Sequence, residues 1–292
     1  MQLQAVTAAL EQIVCYDKTG YSPLELAGQR IGCVNDIWRE RLLAQEAAIF
    51  REENGVLKAL DDEADFAARS ATLAAAALRW RDAGWLNGWR DEKFTAYFTD
   101  GTPAFEMERA AFRPLGLTSR AVHLNGLQRM ADGEIRMWVG RRSPFKDVAP
   151  NRLDNLMGGG IAAGESIQIA LEREGWEEAG IPPTRLELLP QTALLLAERP
   201  VPRGLHREWL YVFDLWLKEG EIPQNQDGEV AEHVLMPLPE VEQHLVNGQF
   251  MSDAALTAID CMARLGYWGD DAALHALLAG VRGVPGTDTA GR

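Results

Sequence analysis

Between Gly158 and Pro183 the sequence reads GGGIAAGESIQIALEREGWEEAGIPP, with five glutamates, Glu165, Glu172, Glu174, Glu177 and Glu178, in or beside one short helix. Gly164 and Ser166 supply a start and Gly180, followed by Pro182-Pro183, a stop, so the predicted helix runs from about Glu165 to Ala179. At about 100° per residue, Glu174 and Glu178 share a stripe with Ile167, Ala170 and Leu171, and Glu177 falls about 60° to one side. The carboxylates thus continue the apolar face, whereas an ordinary solvated helix sets them opposite it. They also crowd toward the negative end of the helix dipole, at a cost of about 0.3 to 1 kcal/mol each, and Glu174 and Glu178 repel each other at i,i+4. A bound divalent cation reverses the sign of all these effects. Three or four carboxylate oxygens with room for water suit Mg²⁺ or Mn²⁺ better than zinc.

The bland alternative is a charged surface helix, and composition alone favours it. The spacing does not. Gly159, Glu165, Arg173, Glu174, Glu177, Glu178, Gly180 and Ile181 follow the pattern G-x5-E-x7-R-E-U-x-E-E-x-G-U, where U is a bulky aliphatic residue. A chance match in a chain this long is roughly a couple in a million. The stretch therefore resembles the Nudix box of the Nudix hydrolases. One position departs, since Gly175 stands where the first U belongs, which weakens a helix interior and removes a packing side chain.

The resemblance implies an α/β (α+β) fold, a Nudix α/β/α sandwich around a mixed sheet, and Mg²⁺-dependent attack of water on a diphosphate linked to another moiety. Residue by residue it implies Glu174, Glu177 and Glu178 as metal ligands and Gly159 as a backbone ligand. Arg173, Glu177 and Glu178 become the catalytic group within the box, with Arg173 orienting the glutamates. Glu165 and Gly180 become structural parts of the motif. Many members use a further glutamate from a later loop, and Glu229 in DGEV is the candidate here for outside ligand or general base.

Before the box, RRSPFKDVAPNRLDNLMGGG gathers Arg141, Arg142 and Lys146, of which Arg142 and Lys146 are candidates to neutralise a substrate diphosphate. The segments HLNG, MWVGRRSPFK, RLDNLMGGGI and DGEV, with FEMERAAFRPLGL upstream, resemble the Nudix subfamily that carries an N-terminal domain of unknown function and includes thiamine-diphosphate-related hydrolases. That resemblance implies thiamine diphosphate or its oxo and oxy analogues as substrate, cleaved to the monophosphate, and nominates Asn125 and Asp154 for the substrate pocket. Turn and capping roles explain Asn125, Asp154 and Asn155 equally well. The alternatives are a nucleotide-sugar, dinucleotide or coenzyme A pyrophosphatase, or a Nudix-fold binding module without turnover. Trp80, Trp85 and Trp89 are expected to close a core, and His123 to be structural, since no second His or Cys stands at metal spacing.

Lysine and arginine number 29 against 43 acidic residues, a net charge of −14, which opposes attraction to nucleic acid or an anionic membrane. Three scattered cysteines and the absence of a signal-peptide pattern fit a cytoplasmic protein. The expected partners are thus a small-molecule diphosphate and, from the family's habit, a second copy in a homodimer. Turn signals and periodicity divide the chain into a smaller α+β domain over residues 1–118, with a hairpin turning at Asp100-Gly101, and a Nudix domain over 119–268. LELL at 186–189 reads as a strand, and residues 281–292, rich in Gly, Thr and Pro, are expected to be a disordered tail.

Overall fold

A computed structural model of the chain describes residues 2–59 and 64–285. Its N-terminal half opens with helix α1 (Gln2–Val14), then β1 (Tyr21–Leu26), β2 (Gln29–Asn35), α2 (Asp36–Gln45), β3 (Phe50–Glu53), β4 (Val56–Ala59) and α3 (Phe66–Asp82). The four strands form one sheet in the order β2-β1-β4-β3. Its β3–β4 hairpin turns on Asn54 and Gly55, both at positive φ, as a two-residue turn between right-twisted strands requires. Helix α2 escaped the sequence reading because it buries only Trp38 and Leu42, too few to show a period. Its start is nonetheless specified, since Asn35 Oδ1 accepts from the Trp38 N–H at 2.9 Å. The hairpin β5 (Lys93–Tyr97) and β6 (Pro103–Glu108) follows as predicted, then the short α4 (Phe112–Leu115). Trp80 is fully buried in this module's core, edge-on to Trp38 at 5.5 Å, and Trp85 packs at its margin.

The second half carries β7 (Thr118–Arg129), β8 (Ile135–Arg142), β9 (Leu153–Asp154), β10 (Met157–Gly160), α5 (Ile167–Ala179), β11 (Gln191–Val201), β12 (Gly204–Leu217) and β13 (Val230–Pro237). Three helices close it: α6 (Leu238–Val246), α7 (Ser252–Arg264) and α8 (Ala272–Val281). The mixed sheet runs β11-β12-β7-β8-β13, with β7 and β12 parallel, β10 beside the first half of β7, and β9 on β8. Successive residues of a strand face opposite ways. On β12, Leu210 and Val212 join the core under α6, α7 and α8, while Trp209, Tyr211 and Phe213 join the core under α5. The result is the expected helix–sheet–helix sandwich with a smaller domain ahead of it.

Three expectations need correction. Helix α1 packs into the second half rather than the first: Val6 and Leu10 are fully buried with residues of α6, α7 and α8, so the structural division does not run cleanly at 118. LELL is not a strand. A 3₁₀ turn at Pro183–Arg185 leads Leu186 under α5, and Leu188 is 93% exposed. The tail is held further than expected, because Val281 completes α8, Arg282 bridges to Leu195 and binds Asp260, and the Gly283 N–H donates to the Leu194 carbonyl. The rest of the tail, from residue 286, lies outside the described residues.

Candidate functional site

Helix α5 starts where Ser166 Oγ accepts from the Ile169 N–H and ends where Gly180, at φ 64°, turns the chain left-handed. Its last-turn carbonyls do not go unpaired. Gln224 donates its backbone N–H to Ala179 at 2.9 Å and Gln226 donates to Glu177 at 2.7 Å, which docks the 224–229 loop beside the acidic face. Gly175 has a physical reason: a Cβ there would lie 2.5 Å from Leu186 Cδ1. Leu186 occupies the space that the motif's aliphatic residue would fill, so the departure leaves no void in the helix packing.

The three glycines of β10 are each pressed by one side chain. A Cβ on Gly158 would meet the His123 ring, one on Gly160 would meet Phe94, and one on Gly159 would fall into the Glu174 carboxylate at 1.9 to 2.5 Å. Glu174 therefore lies flat against the Gly159 backbone, an approach only glycine permits. Glu178 reaches the same strand, accepting the Gly158 N–H at 3.0 Å. Arg173 ties the cluster together, binding Glu165 through Nε at 2.8 Å, Glu174 at 2.7 Å, Glu177 at 3.2 Å and the Gly160 carbonyl at 3.2 Å. Glu165 also accepts the Ala162 N–H at 3.1 Å, closing the loop between β10 and α5.

The electrostatics of this cluster are out of balance. Burial pushes the Glu178 carboxyl up to about 8; Lys146, with Nζ 3.4 Å from Glu178 Oε1, offsets only part of that, while Glu174 and Asp154 push it further up. Burial also raises Glu174, against the pull of Arg173. Lys146 is paired on its other side with Glu229, so the loop residue nominated from sequence does come to the acidic helix. Glu177 is the outermost of the three, with a side chain 41% exposed. The donor set fits a divalent cation: clustered hard oxygens, burial that disfavours their charge, and only Arg173 and Lys146 paired with them among the described residues.

Of the remaining nominees, Lys146 and Arg142 line the cleft in front of these glutamates, whereas Asn125 and Asp154 do not. Arg142 is already engaged, binding Asp154 at 2.6 Å and the Val148 carbonyl at 3.1 and 3.0 Å. Asp154 is thereby consumed as the partner of a buried arginine. Asn125, wholly buried on β7, donates to Asp214 and accepts from Asn155, whose Oδ1 in turn accepts from Thr257. His123 Nδ1 lies 2.9 Å from that same Oδ1, which can only accept, so Nδ1 carries the proton. Asn125, Asn155 and His123 are thus a network that fixes β7 against α7 and the 153–158 segment.

The cleft, about 490 Å³, reaches well beyond the residues of the motif. Beyond the glutamates it extends to Arg90, Arg109 and Arg113 of the N-terminal half and to Arg199, Arg203, His206, Glu208 and Asp253. The sequence reading named none of these. The available signal was weak: Glu208 interrupts an apolar strand, HREWLYVF, on its buried face. His206, Glu208 and Asp253 have ligand atoms within 4.8 Å of one another, as a metal site would. Their valences are already filled. Arg199 forks onto Asp253, and Arg113 with Ser119 holds Glu208. Burial alone would raise both carboxyls, yet His206 and Arg199 hold Asp253 well below the carboxylate range, and Arg113 and His206 lower Glu208.

Comparison with known proteins agrees with this geometry. The NUDIX domain profile matches residues 122–254, and the profile of a domain of unknown function, DUF4743, matches residues 3–119. Nudix hydrolase 24, chloroplastic, of Arabidopsis thaliana is 33% identical over 196 residues, 63% of this chain and 50% of its own. Nudix hydrolase 20, chloroplastic, of the same plant is 32% identical, again over 50% of its length, so the chain spans about half of these relatives. The uncharacterized Nudix hydrolase SCO1686 of Streptomyces coelicolor is 31% identical over 47% of this chain and 70% of its own. The chain belongs to the Nudix hydrolase family, with a DUF4743 domain ahead of its Nudix domain.

Proposed function

We propose that the protein is a Mg²⁺-dependent diphosphohydrolase that cleaves a phosphoanhydride bond in a small molecule, with Mn²⁺ as a substitute metal. The observation that carries this reading is the placement of Glu178, buried against the Gly158 backbone beside Glu174, with Lys146 its one ion-pair partner among the described residues. Glu174, Glu177 and Glu178 would hold the metal, with Gly159 offering its backbone. When bound, the metal would neutralise the diphosphate and activate a water. Arg173 keeps the three glutamates in one orientation. Glu229 would accept a proton from the attacking water or complete the ligand set, and Lys146, which pairs with Glu178 and Glu229, would bind the diphosphate. Glu229→Gln is expected to lower kcat with little change in KM, and Lys146→Ala to raise KM chiefly. The reverse assignment of effects would dismiss that division of roles.

Within the class, the subfamily resemblance nominates thiamine diphosphate and its oxo and oxy analogues. The arginine-lined far end of the cleft favours the second reading, a nucleotide-sugar, dinucleotide or coenzyme A pyrophosphatase, because a cationic thiazolium is repelled there. A cytoplasmic setting and a homodimer complete the proposal; among the described residues no helix is long and apolar enough to cross a membrane. The test is hydrolysis of a metal-supplemented panel of thiamine diphosphate analogues, ADP-ribose, NADH and coenzyme A, repeated in excess chelator. Metal-dependent turnover of at least one member is expected. Turnover undiminished by chelator would remove the metal requirement, and no turnover on any member would leave a binding module as the better account.

A further inference from the structure

The arginine end of the cleft is assembled by close backbone packing between the two halves of the chain. The β11–β12 turn ends in Gly204, at φ 140°, and a Cβ there would lie 2.1 Å from the Arg113 carbonyl oxygen and 3.0 Å from Pro114 Cα. This contact sets Arg203 beside α4. From the other side Gly88 admits it, since a Cβ on Gly88 would meet Arg203 Nη1 at 2.9 Å, and that nitrogen donates to the Asn87 carbonyl at 3.0 Å. Arg109 completes the wall, its guanidinium 5.2 Å above the ring of Phe94, the same ring that presses on Gly160 at the glutamate end.

The three guanidiniums are unequally compensated. Arg113 shares Glu208 with Ser119, and Arg109 pairs with Glu92 near the cleft mouth. Arg203 has no carboxylate partner among the described residues. Burial lowers its basicity, and Arg113 and Arg109 lower it further. A protein with net charge −14 has thus directed a cluster of arginines into the same cleft as its acidic helix, and one of them, Arg203, has no carboxylate within ion-pair distance among the described residues, Asp147 acting on it only at longer range. Guanidinium forks bind phosphate oxygens in pairs, and a partly desolvated, under-neutralised group of them is stabilised by an anion.

We propose that Arg203, Arg113 and Arg109 form a subsite for a phosphate group carried on the organic moiety of the substrate, separate from the diphosphate that meets the acidic helix. The substrate class is then a diphosphate with a further phosphomonoester, and Glu208 acts through Arg113 as a positioning residue. This rests on the reading of the cleft as a substrate site, but its first test needs no turnover. Inorganic phosphate titrated calorimetrically into metal-free full-length protein at fixed ionic strength is expected to bind saturably, because without metal the glutamate end repels it. Arg203→Gln should weaken that binding by about tenfold or more, Arg203→Lys should restore part of it, and Glu178→Gln should leave it intact. No saturable binding, or an affinity within about twofold in Arg203→Gln, overturns the subsite.

The second arm compares coenzyme A with 3′-dephospho-coenzyme A, which differ by one phosphomonoester. Wild-type protein is expected to favour coenzyme A in kcat/KM by about tenfold or more, and Arg203→Gln to abolish the preference through KM. An equal fall on both substrates contradicts recognition of that group. Phosphate binding by the arginines in a protein that hydrolyses no member of the substrate panel would leave the subsite standing and remove the hydrolase reading instead.

Discussion

Two pairs of carboxylates at or just behind the same cleft, Glu174 with Glu178 and Glu208 with Asp253, respond to burial in opposite ways. Glu178 is 3% exposed and Asp253 is 4% exposed, so desolvation penalises both. Glu178 and its neighbour Glu174 are raised, because a lysine and one shared arginine do not neutralise them. Asp253 and Glu208 are lowered, because each has its own arginine, and His206 lies between them. Burial alone therefore does not make an acidic cluster a cation site. An unfilled demand for positive charge is what marks a candidate, and of these two clusters it belongs to the one on α5. His206, Glu208 and Asp253 have a metal-like spacing but serve as the scaffold that aims Arg199 and Arg113 into the cleft.

The sharpest way to break this contrast is to neutralise each pair in turn. Glu174→Gln and Glu178→Gln should each lower metal-dependent turnover by orders of magnitude while metal-free stability stays equal or rises, since a repelled buried charge is removed. Asp253→Asn should do the opposite and destabilise the fold by about 3 to 5 kcal/mol, because it strands a buried guanidinium. Urea denaturation in metal-free buffer measures both. Equal destabilisation by all three substitutions would erase the distinction.

The same contrast has a pH signature of opposite sign. Glu178 has a folded value near 8, above the unfolded carboxyl, so its contribution is full below about pH 4.5 and is lost as pH rises toward 8. Metal-free protein should therefore lose stability across that interval, and Glu178→Gln should flatten the loss. Asp253 and Glu208 are lowered, so their contribution is present above the unfolded carboxyl value and is lost on acidification below about pH 4. Stability measured from pH 4 to 9 that rises throughout in the metal-free wild type would contradict the assignment.

A smaller effect sharpens the account of α5. Gly175→Val should cost about 1 to 3 kcal/mol by colliding with Leu186, even though glycine is a poor helix residue. Paired with Leu186→Ala, which empties that space, Gly175→Val should cost less than the sum of the two. Simple additivity would mean that Leu186 does not stand in for the missing side chain.

What the sequence disclosed follows from how local each feature is. The glutamate end lies within one glycine-rich strand and one helix, so spacing alone nominated Glu174, Glu178 and Gly159, and the i,i+4 relation put Glu174 and Glu178 on one helix face. The sandwich was legible through the same motif, as what the Nudix resemblance implied, since β7 and β12 are buried almost throughout and carry no clear alternation of their own. The arginine end is not local. It joins residues near 90, 110, 200 and 253 that meet only through the parallel pairing of β7 with β12 and the packing of Gly204 on Arg113. The pairing of Arg142 with Asp154 was not legible, because a buried ion pair and a substrate contact look alike until the partner is seen. Leu186 read as strand because its apolar neighbours gave no hint that it fills a gap at Gly175.

The most direct test of the central contrast is Mn²⁺ titration of metal-free protein by electron paramagnetic resonance, comparing wild type, Glu178→Gln and Glu208→Gln, each shown to be folded by circular dichroism. The account predicts that Glu178→Gln weakens Mn²⁺ binding by about tenfold or more while Glu208→Gln stays within about twofold of wild type. Binding that survives Glu178→Gln and disappears in Glu208→Gln would place the cation at the arginine-held cluster and contradict it.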